Sequence, residues 1–259
     1  MQKNFLFLGC GKMGNAIMQN FLNNGVKREN ILTIDPNNNN SDIKSINEIQ
    51  DNYKADIVIF AIKPQGSEEI LKEFAVKNSF NQNTIFISIL AGKTIGFFEN
   101  ILGKDKKIIR LMPNLPILID EGISAYFCNK NIQNGQEKEL VNLFGQNLKL
   151  EKEDLINQAT AISGSGPAYL FLFAKNIIES AQKIGLSKKE AQTLTKQTLF
   201  GASKMLLNED NIDELINSVT SKGGTTQAAL EEFNNSNNSL EDLVFKSINA
   251  AFNISNKLS

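Results

Sequence analysis

Two glycine-rich stretches carry the chain's strongest signals of ligand binding. The first, Gly9-Cys10-Gly11-Lys12-Met13-Gly14, follows the apolar run "FLFL" and leads into an amphipathic pattern. Between a strand and a helix, this spacing cradles a dinucleotide. Two glycines permit the tight turn and close approach of the pyrophosphate, and the third lets helix and strand pack together. The second stretch, "SKGGTT" at 221–226, runs straight into the helical pattern "QAALEEF". Free N–H groups at such a helix start form a ready anion site. Two cradles in one chain imply two different negatively charged molecules.

Other residues fall where a dinucleotide would need them. Asp35 ends the run "ILTI", 21 residues beyond Gly14, where a carboxylate accepts hydrogen bonds from the adenosine ribose hydroxyls of NAD. Pro36 through Asn40 offer no Arg or Lys to a 2′-phosphate, so NADH is expected over NADPH, with NADPH still possible. Ala61, Lys63 and Pro64, in "AIKPQ", face the crevice expected to take the nicotinamide half; Lys63 either touches the cofactor or points into water. Met112 and Asn114, in "RLMPNLP", play the same role one strand along, with two prolines fixing the loop so that carbonyls can meet a carboxamide. "ISGSGPAYLF" at 162–171 reads as a further helix start, with Ser165 or Gly166 as its cap and Pro167 in its first turn.

Composition removes other chemistries. The 259 residues include no histidine, which excludes a His-based catalytic triad and leaves a zinc site only two cysteines and carboxylates. No metal is expected. With 27 Lys+Arg against 28 Asp+Glu, no basic surplus recommends nucleic acid or an anionic membrane as partner. The run "AYLFLFA" is stopped by Lys175 well short of a membrane span, and the N-terminus shows no signal-peptide pattern. Cys10 and Cys128 form no C-x-x-C pair and read as reduced thiols of a cytoplasmic protein.

The secondary structure expected around these motifs changes character midway. Strands are expected at 5–8, 31–34, 56–62, 84–90, 107–112 and 122–127, with helices at 13–24, 67–76 and 134–146 between them. This is the alternation of a parallel α/β sheet. Helical periodicity then takes over: 169–184, 188–207, 212–219, 226–233 and 240–258. None of the five prolines interrupts that tail. The reading is an α/β Rossmann-type domain over 1–152 followed by an all-α domain over 153–259. The asparagine tracts at 37–40 and 234–238 read as turns of biased composition, without function.

Taken together and in order, the glycine loop, "IKPQ", "RLMPN", "SGSGPAY" and "SKGGTT" resemble the motifs of the pyrroline-5-carboxylate reductase family, over nearly the whole chain. Two departures stand out. Leu115 replaces the family's common threonine in "MPNTP", and Lys222 replaces proline in "SPGGTT". The resemblance implies reduction of a cyclic imine to L-proline by NAD(P)H, at a site formed from two subunits of a homodimer or a higher oligomer built on dimers. It also implies that Ser221, Gly223, Gly224, Thr225 and Thr226 hold the substrate carboxylate, with Thr226 nearest the reacting ring. Ser165, Thr226 or an ordered water would relay the proton. A 3-hydroxyacid dehydrogenase, the nearest rival, would need a lysine four places after "GSG", where this chain has Leu170. A non-catalytic dinucleotide sensor would have no need of the second cradle.

Overall fold

The computed structural model describes residues 3–235 and 239–258. The chain divides into two compact units: one runs to Ser165 and resumes at Ala251, and the other holds Gly166–Ala250.

The first unit is built on a seven-stranded sheet of order β2-β1-β3-β4-β5-β6-β7. Its strands are β1 (Phe5–Leu8), β2 (Ile31–Ile34), β3 (Ala55–Phe60), β4 (Phe80–Ser88), β5 (Lys107–Met112), β6 (Ile123–Cys128) and β7 (Gln146–Lys149). The first five are mutually parallel, β6 runs antiparallel to β5, and β7 is parallel to β6. Helices α1 (Lys12–Asn23), α2 (Ser67–Lys77) and α3 (Ile95–Leu102) connect the parallel strands.

Alternation along each strand sorts side chains between two cores. Phe5, Phe7, Ile57, Ile59, Ile109 and Leu111 face Ile17 and Phe21 of α1. Leu6, Leu8, Val58, Phe60, Phe86 and Ile108 face Phe74 of α2 and Phe98 of α3. Phe60 stacks on Phe86 and Phe98 with centroids 6.0 and 5.4 Å apart. Each such ring contributes about 1.5–3 kcal/mol by leaving water. The central strands are buried on both faces, so they appear in the sequence as unbroken apolar runs.

Two expected elements differ. The helix expected over 134–146 is only α4 (Lys138–Val141) with a 3-10 turn at Asn142–Phe144, and the chain then pairs with β6 as β7. Gly145, at φ +84° and with a Cβ position 2.5 Å from the Gly122 carbonyl, turns the chain out of the helix. The strand expected at 84–90 begins earlier, at Phe80.

The larger correction concerns "ISGSGPAYLF". Helix α5 (Leu155–Ala159) passes into a π-helical turn at Thr160–Gly164, and α6 (Gly166–Lys183) begins directly after Ser165. Ser165 is in helical backbone, not a cap conformation, and its N–H bonds the Thr160 carbonyl at 3.0 Å. The Thr160 and Ser163 hydroxyls also bond back to the carbonyls of Ile156 and Ala159. A helix start with free amides therefore does not exist here, because preceding residues already accept those donors.

The second unit is helical: α6, α7 (Lys188–Leu206), α8 (Ile212–Ser218), α9 (Thr225–Phe233) and most of α10 (Leu240–Leu258). A capping box between Ser187 and Glu190 starts α7. The unit keeps much apolar side-chain surface in water. Leu170, Phe171, Phe200, Leu243 and Phe245 are all more than half exposed. Residues 236–238 of the second asparagine tract lie outside the described residues. Among the described residues no helix is long and apolar enough to cross a membrane.

Candidate active site

The glycine loop joins β1 to α1, and its three glycines are required for three different reasons. Gly9 has φ +96°, and a Cβ there would lie 2.5 Å from the carbonyl oxygen of Ala61. Gly14 sits equally close to the Gly9 carbonyl, so α1 packs on the turn backbone to backbone. Gly11 is different: a Cβ built there meets nothing within 4 Å. That open space lies at the start of α1, which has no side-chain cap. The helix's first internal bond runs from the Asn15 N–H to the Gly11 carbonyl. The amides of Lys12, Met13 and Gly14 therefore point out of the helix without an internal acceptor. An unfilled space beside unpaired N–H groups fits a pyrophosphate.

Asp35 closes this loop from the side. Its two carboxylate oxygens accept the main-chain N–H groups of Cys10 and Asn37, each at 2.8 Å. The asparagine tract at 37–40 proves to be more than filler, since the Asn38 side chain donates to the Cys10 carbonyl at 2.7 Å. Asn15 donates to the same oxygen at 2.6 Å. Burial pushes the Cys10 thiol up to about 11, with Asp35 and Asp42 adding to the rise against a hydrogen bond from Thr33. That thiol stays protonated and takes no part in chemistry near neutral pH.

The remaining residues singled out in the first unit lie around the carboxyl ends of β3 and β5. Ala61 follows β3 and donates its N–H to the Leu8 carbonyl at 2.8 Å. Lys63 is exposed, and Pro64 accepts the Ser67 hydroxyl at 2.8 Å just before α2. Met112 ends β5 and lies 3.9 Å from the Cβ position of Gly164, bringing the Ser165 segment beside it. The side-chain oxygen of Asn114 accepts the Ile123 N–H at 2.9 Å, closing the loop between β5 and β6. Its amide nitrogen has no acceptor among the described residues.

In the second unit, Ser221–Gly224 forms a turn closed by the Gly224 N–H on the Ser221 carbonyl at 3.0 Å. Gly223 occupies its third position at φ +72°. That is a type II pattern, in which proline suits the second position but is not required; Lys222 stands there. The Gly223 N–H is held by the side-chain oxygen of Gln227 at 2.7 Å. Both glycine amides are thus used in shaping the turn. Helix α9 has no side-chain cap, and its first bond inward is Ala228 N–H to the Gly224 carbonyl. The amides facing outward belong to Thr225, Thr226 and Gln227. Gln227, which sequence reading missed, braces the cradle. Its signal was an amide side chain four residues beyond the first glycine.

Comparison with known proteins decides the family. The chain is 33% identical over 257 residues to the pyrroline-5-carboxylate reductase of Pseudomonas aeruginosa, covering 95% of this chain and 93% of that protein. It belongs to the pyrroline-5-carboxylate reductase family. The pyrroline-5-carboxylate reductase of Haemophilus influenzae is also 33% identical, over 88% of each chain. The family profile described as pyrroline-5-carboxylate reductase dimerisation matches residues 153–258, and that of coenzyme F420-dependent NADP oxidoreductases matches residues 4–92. Among solved structures, the Plasmodium falciparum pyrroline carboxylate reductase with NADP bound superposes with a TM-score of 0.89 at 30% identity, over 100% of this chain and 99% of that one. The Coxiella burnetii pyrroline-5-carboxylate reductase gives 0.87 at 29% identity, with the same coverage. Pyrroline-5-carboxylate reductase membership agrees with the two cradles described above and with a reaction that does not need histidine.

Proposed function

We propose that this protein reduces the C=N bond of 1-pyrroline-5-carboxylate to give L-proline, drawing on NAD(P)H held at the glycine loop. The observation that carries this reading, beside family membership, is the second cradle. A chain already equipped for a dinucleotide has another uncapped helix start with two threonines in its first turn. A small carboxylate fits three outward amides and adjacent hydroxyls.

In this reading residues 1–152 bind the dinucleotide and residues 153–259 bind substrate and dimerise. Gly9, Gly11 and Gly14, with the amides of Lys12 and Met13, take the pyrophosphate. Asp35 accepts from the adenosine ribose, which favours NADH. Ala61, Lys63, Pro64, Met112 and Asn114 surround the nicotinamide half. When bound, the reduced nicotinamide supplies the hydride. The carboxylate is held by the Thr225, Thr226 and Gln227 amides and the threonine hydroxyls, on a turn shaped by Ser221, Gly223 and Gly224. Catalysis by this chain is chiefly placement, bringing the reacting carbons to roughly 3–3.5 Å. An imine nitrogen is basic enough to gain its proton from solution, from Ser165 or from Thr226.

The exposed apolar side chains of α6, α7 and α10 support a homo-oligomer, since a helix apolar on more than one face needs a second surface to cover it. The cytoplasm is the proposed setting, where unpaired thiols such as Cys10 and Cys128 remain reduced. A spectrophotometric assay tests the function. Loss of NADH absorbance on adding pyrroline-5-carboxylate, with proline as product, is expected. Binding of dinucleotide without turnover would favour a sensor instead.

A further inference from the structure

The turn that opens α9 is anchored where it leaves α8. The Thr220 hydroxyl and N–H donate to the carbonyls of Ile216 and Asn217, at 2.7 and 3.1 Å. Within the turn, the Gly224 N–H closes the main chain on the Ser221 carbonyl. Gly223 sits there at φ +72°. Glycine reaches positive and negative φ about equally, so the residue that permits the turn also loosens it. Proline at the second position would tighten it by fixing φ at about −65°. Lys222 supplies no such restraint. The Gln227 side chain does: its Oε1 accepts the Gly223 N–H at 2.7 Å, and its Nε2 donates to Glu231 Oε1 at 2.9 Å, one turn further along α9. A carboxylate can only accept, so Glu231 takes the NH2 end of the amide and turns its oxygen toward Gly223. Gly224 passes directly into α9, so the conformation at Gly223 sets where the outward amides of Thr225 and Thr226 lie relative to Ser221.

We propose that the Gln227 side chain is a positioning residue for the substrate carboxylate: oriented by Glu231, it fixes the Gly223 peptide and does for this turn what a proline at 222 would do. This rests on the reading of the α9 start as the carboxylate cradle. The Gln227 main-chain amide belongs to the cradle whatever the side chain is, and the side chain acts through Gly223. Without it the free enzyme's turn samples other conformations, and binding must then order it. The loss falls on substrate affinity, not on the hydride step, whose geometry returns once the substrate is seated.

Steady-state kinetics with pyrroline-5-carboxylate and NADH on wild type, Gln227→Ala, Lys222→Pro and the double variant is the test. Gln227→Ala should raise KM for pyrroline-5-carboxylate about fivefold, the loss of one neutral hydrogen bond, with kcat and KM for NADH within about twofold. In the Lys222→Pro background the same change should raise that KM by less than about twofold, because the ring already restrains the turn. Equal rises in the two backgrounds, an equal rise in KM for NADH, or a wild-type KM in Gln227→Ala overturns the proposal and leaves Gln227 a surface brace. Thr226→Val separates this failure from that of the cradle. If it too keeps wild-type kcat and KM, the substrate lies away from α9 and both readings fall.

Discussion

The Asp35 carboxylate accepts the Cys10 main-chain N–H at 2.8 Å, so the residue at the end of β2 fastens the turn after β1. One side chain therefore shapes the phosphate loop and sets the charge met by the ribose. Asp35→Asn keeps an oxygen for Cys10 and removes the charge. The ratio of kcat/KM for NADPH over NADH should rise about tenfold, the difference between a charged and a neutral hydrogen-bonding partner. An unchanged ratio would remove Asp35 from cofactor choice.

Gly11 and Gly14 should respond oppositely to alanine. A Cβ at Gly14 lies 2.5 Å from the Gly9 carbonyl, so Gly14→Ala forces α1 off the turn and costs about 1–3 kcal/mol in denaturant unfolding. Gly11 has φ −66° and open space around it. Gly11→Ala should change stability by less than about 0.5 kcal/mol, because a stiffer unfolded chain offsets a poorer cap. It should still weaken dinucleotide binding, because the methyl enters the space read as the pyrophosphate's. Normal NADH affinity in Gly11→Ala would place the phosphates elsewhere.

Thr226 stands in the first turn of α9 with an outward amide. Thr226→Val removes a hydroxyl from the proposed carboxylate cradle and should lower kcat/KM for pyrroline-5-carboxylate by ten- to a hundredfold, roughly 1.5–3 kcal/mol. NADH affinity should not change. Wild-type turnover in this variant would move the substrate away from α9.

Lys222 occupies the second position of a turn that favours proline, and its N–H is not needed to close that turn. Lys222→Pro should stabilise the protein by about 0.4–1 kcal/mol, chiefly by restricting the unfolded chain. This corresponds to a rise in Tm of about 1–4 °C. A fall in Tm would mean that the backbone at 222 does not suit proline.

Arg110 is 1% exposed and forms the centre of a buried polar network. Its guanidinium meets Glu153 Oε1 at 3.2 Å and Asn157 Oδ1 at 2.9 Å. Glu153 Oε1 also accepts the Ile95 N–H that opens α3, and Asn157 donates to Asn256 near the end of α10. Glu153→Gln leaves a buried cation without its counter-charge and should cost about 3 kcal/mol. The double variant Arg110→Met/Glu153→Gln should be less destabilised than Glu153→Gln alone, because no buried charge remains. Equal or greater loss in the double variant would mean that Arg110 contributes more through its other contacts than it costs by burial.

Much of the first unit was legible because its signals are local. Apolar runs mark strands covered on both faces, and Gly9, Gly11 and Gly14 report a turn whose backbone geometry depends on adjacent residues. The "SKGGTT" turn was legible for the same reason. The π turn before α6 was not, because Gly164-Ser165-Gly166-Pro167 has the composition of a capped helix start. What distinguishes the two is whether the carbonyls of Ile156, Ala159 and Thr160 are already helical. β7 was missed because Gln146–Lys149 has little apolar character and is a strand by virtue of pairing with β6.

The order of residues alone determined the α/β and helical halves, the two glycine turns and the need for chemistry without histidine, since each follows from residue type and near-neighbour spacing. Which polar groups are spent and which are free was settled when the chain folded. Folding committed Asp35 to Cys10 and Arg28 to Asp42, and it left Lys44 over the asparagine loop. Those choices depend on folding together segments far apart in the chain, and hydrogen-bond partners follow distance in space rather than distance along the sequence.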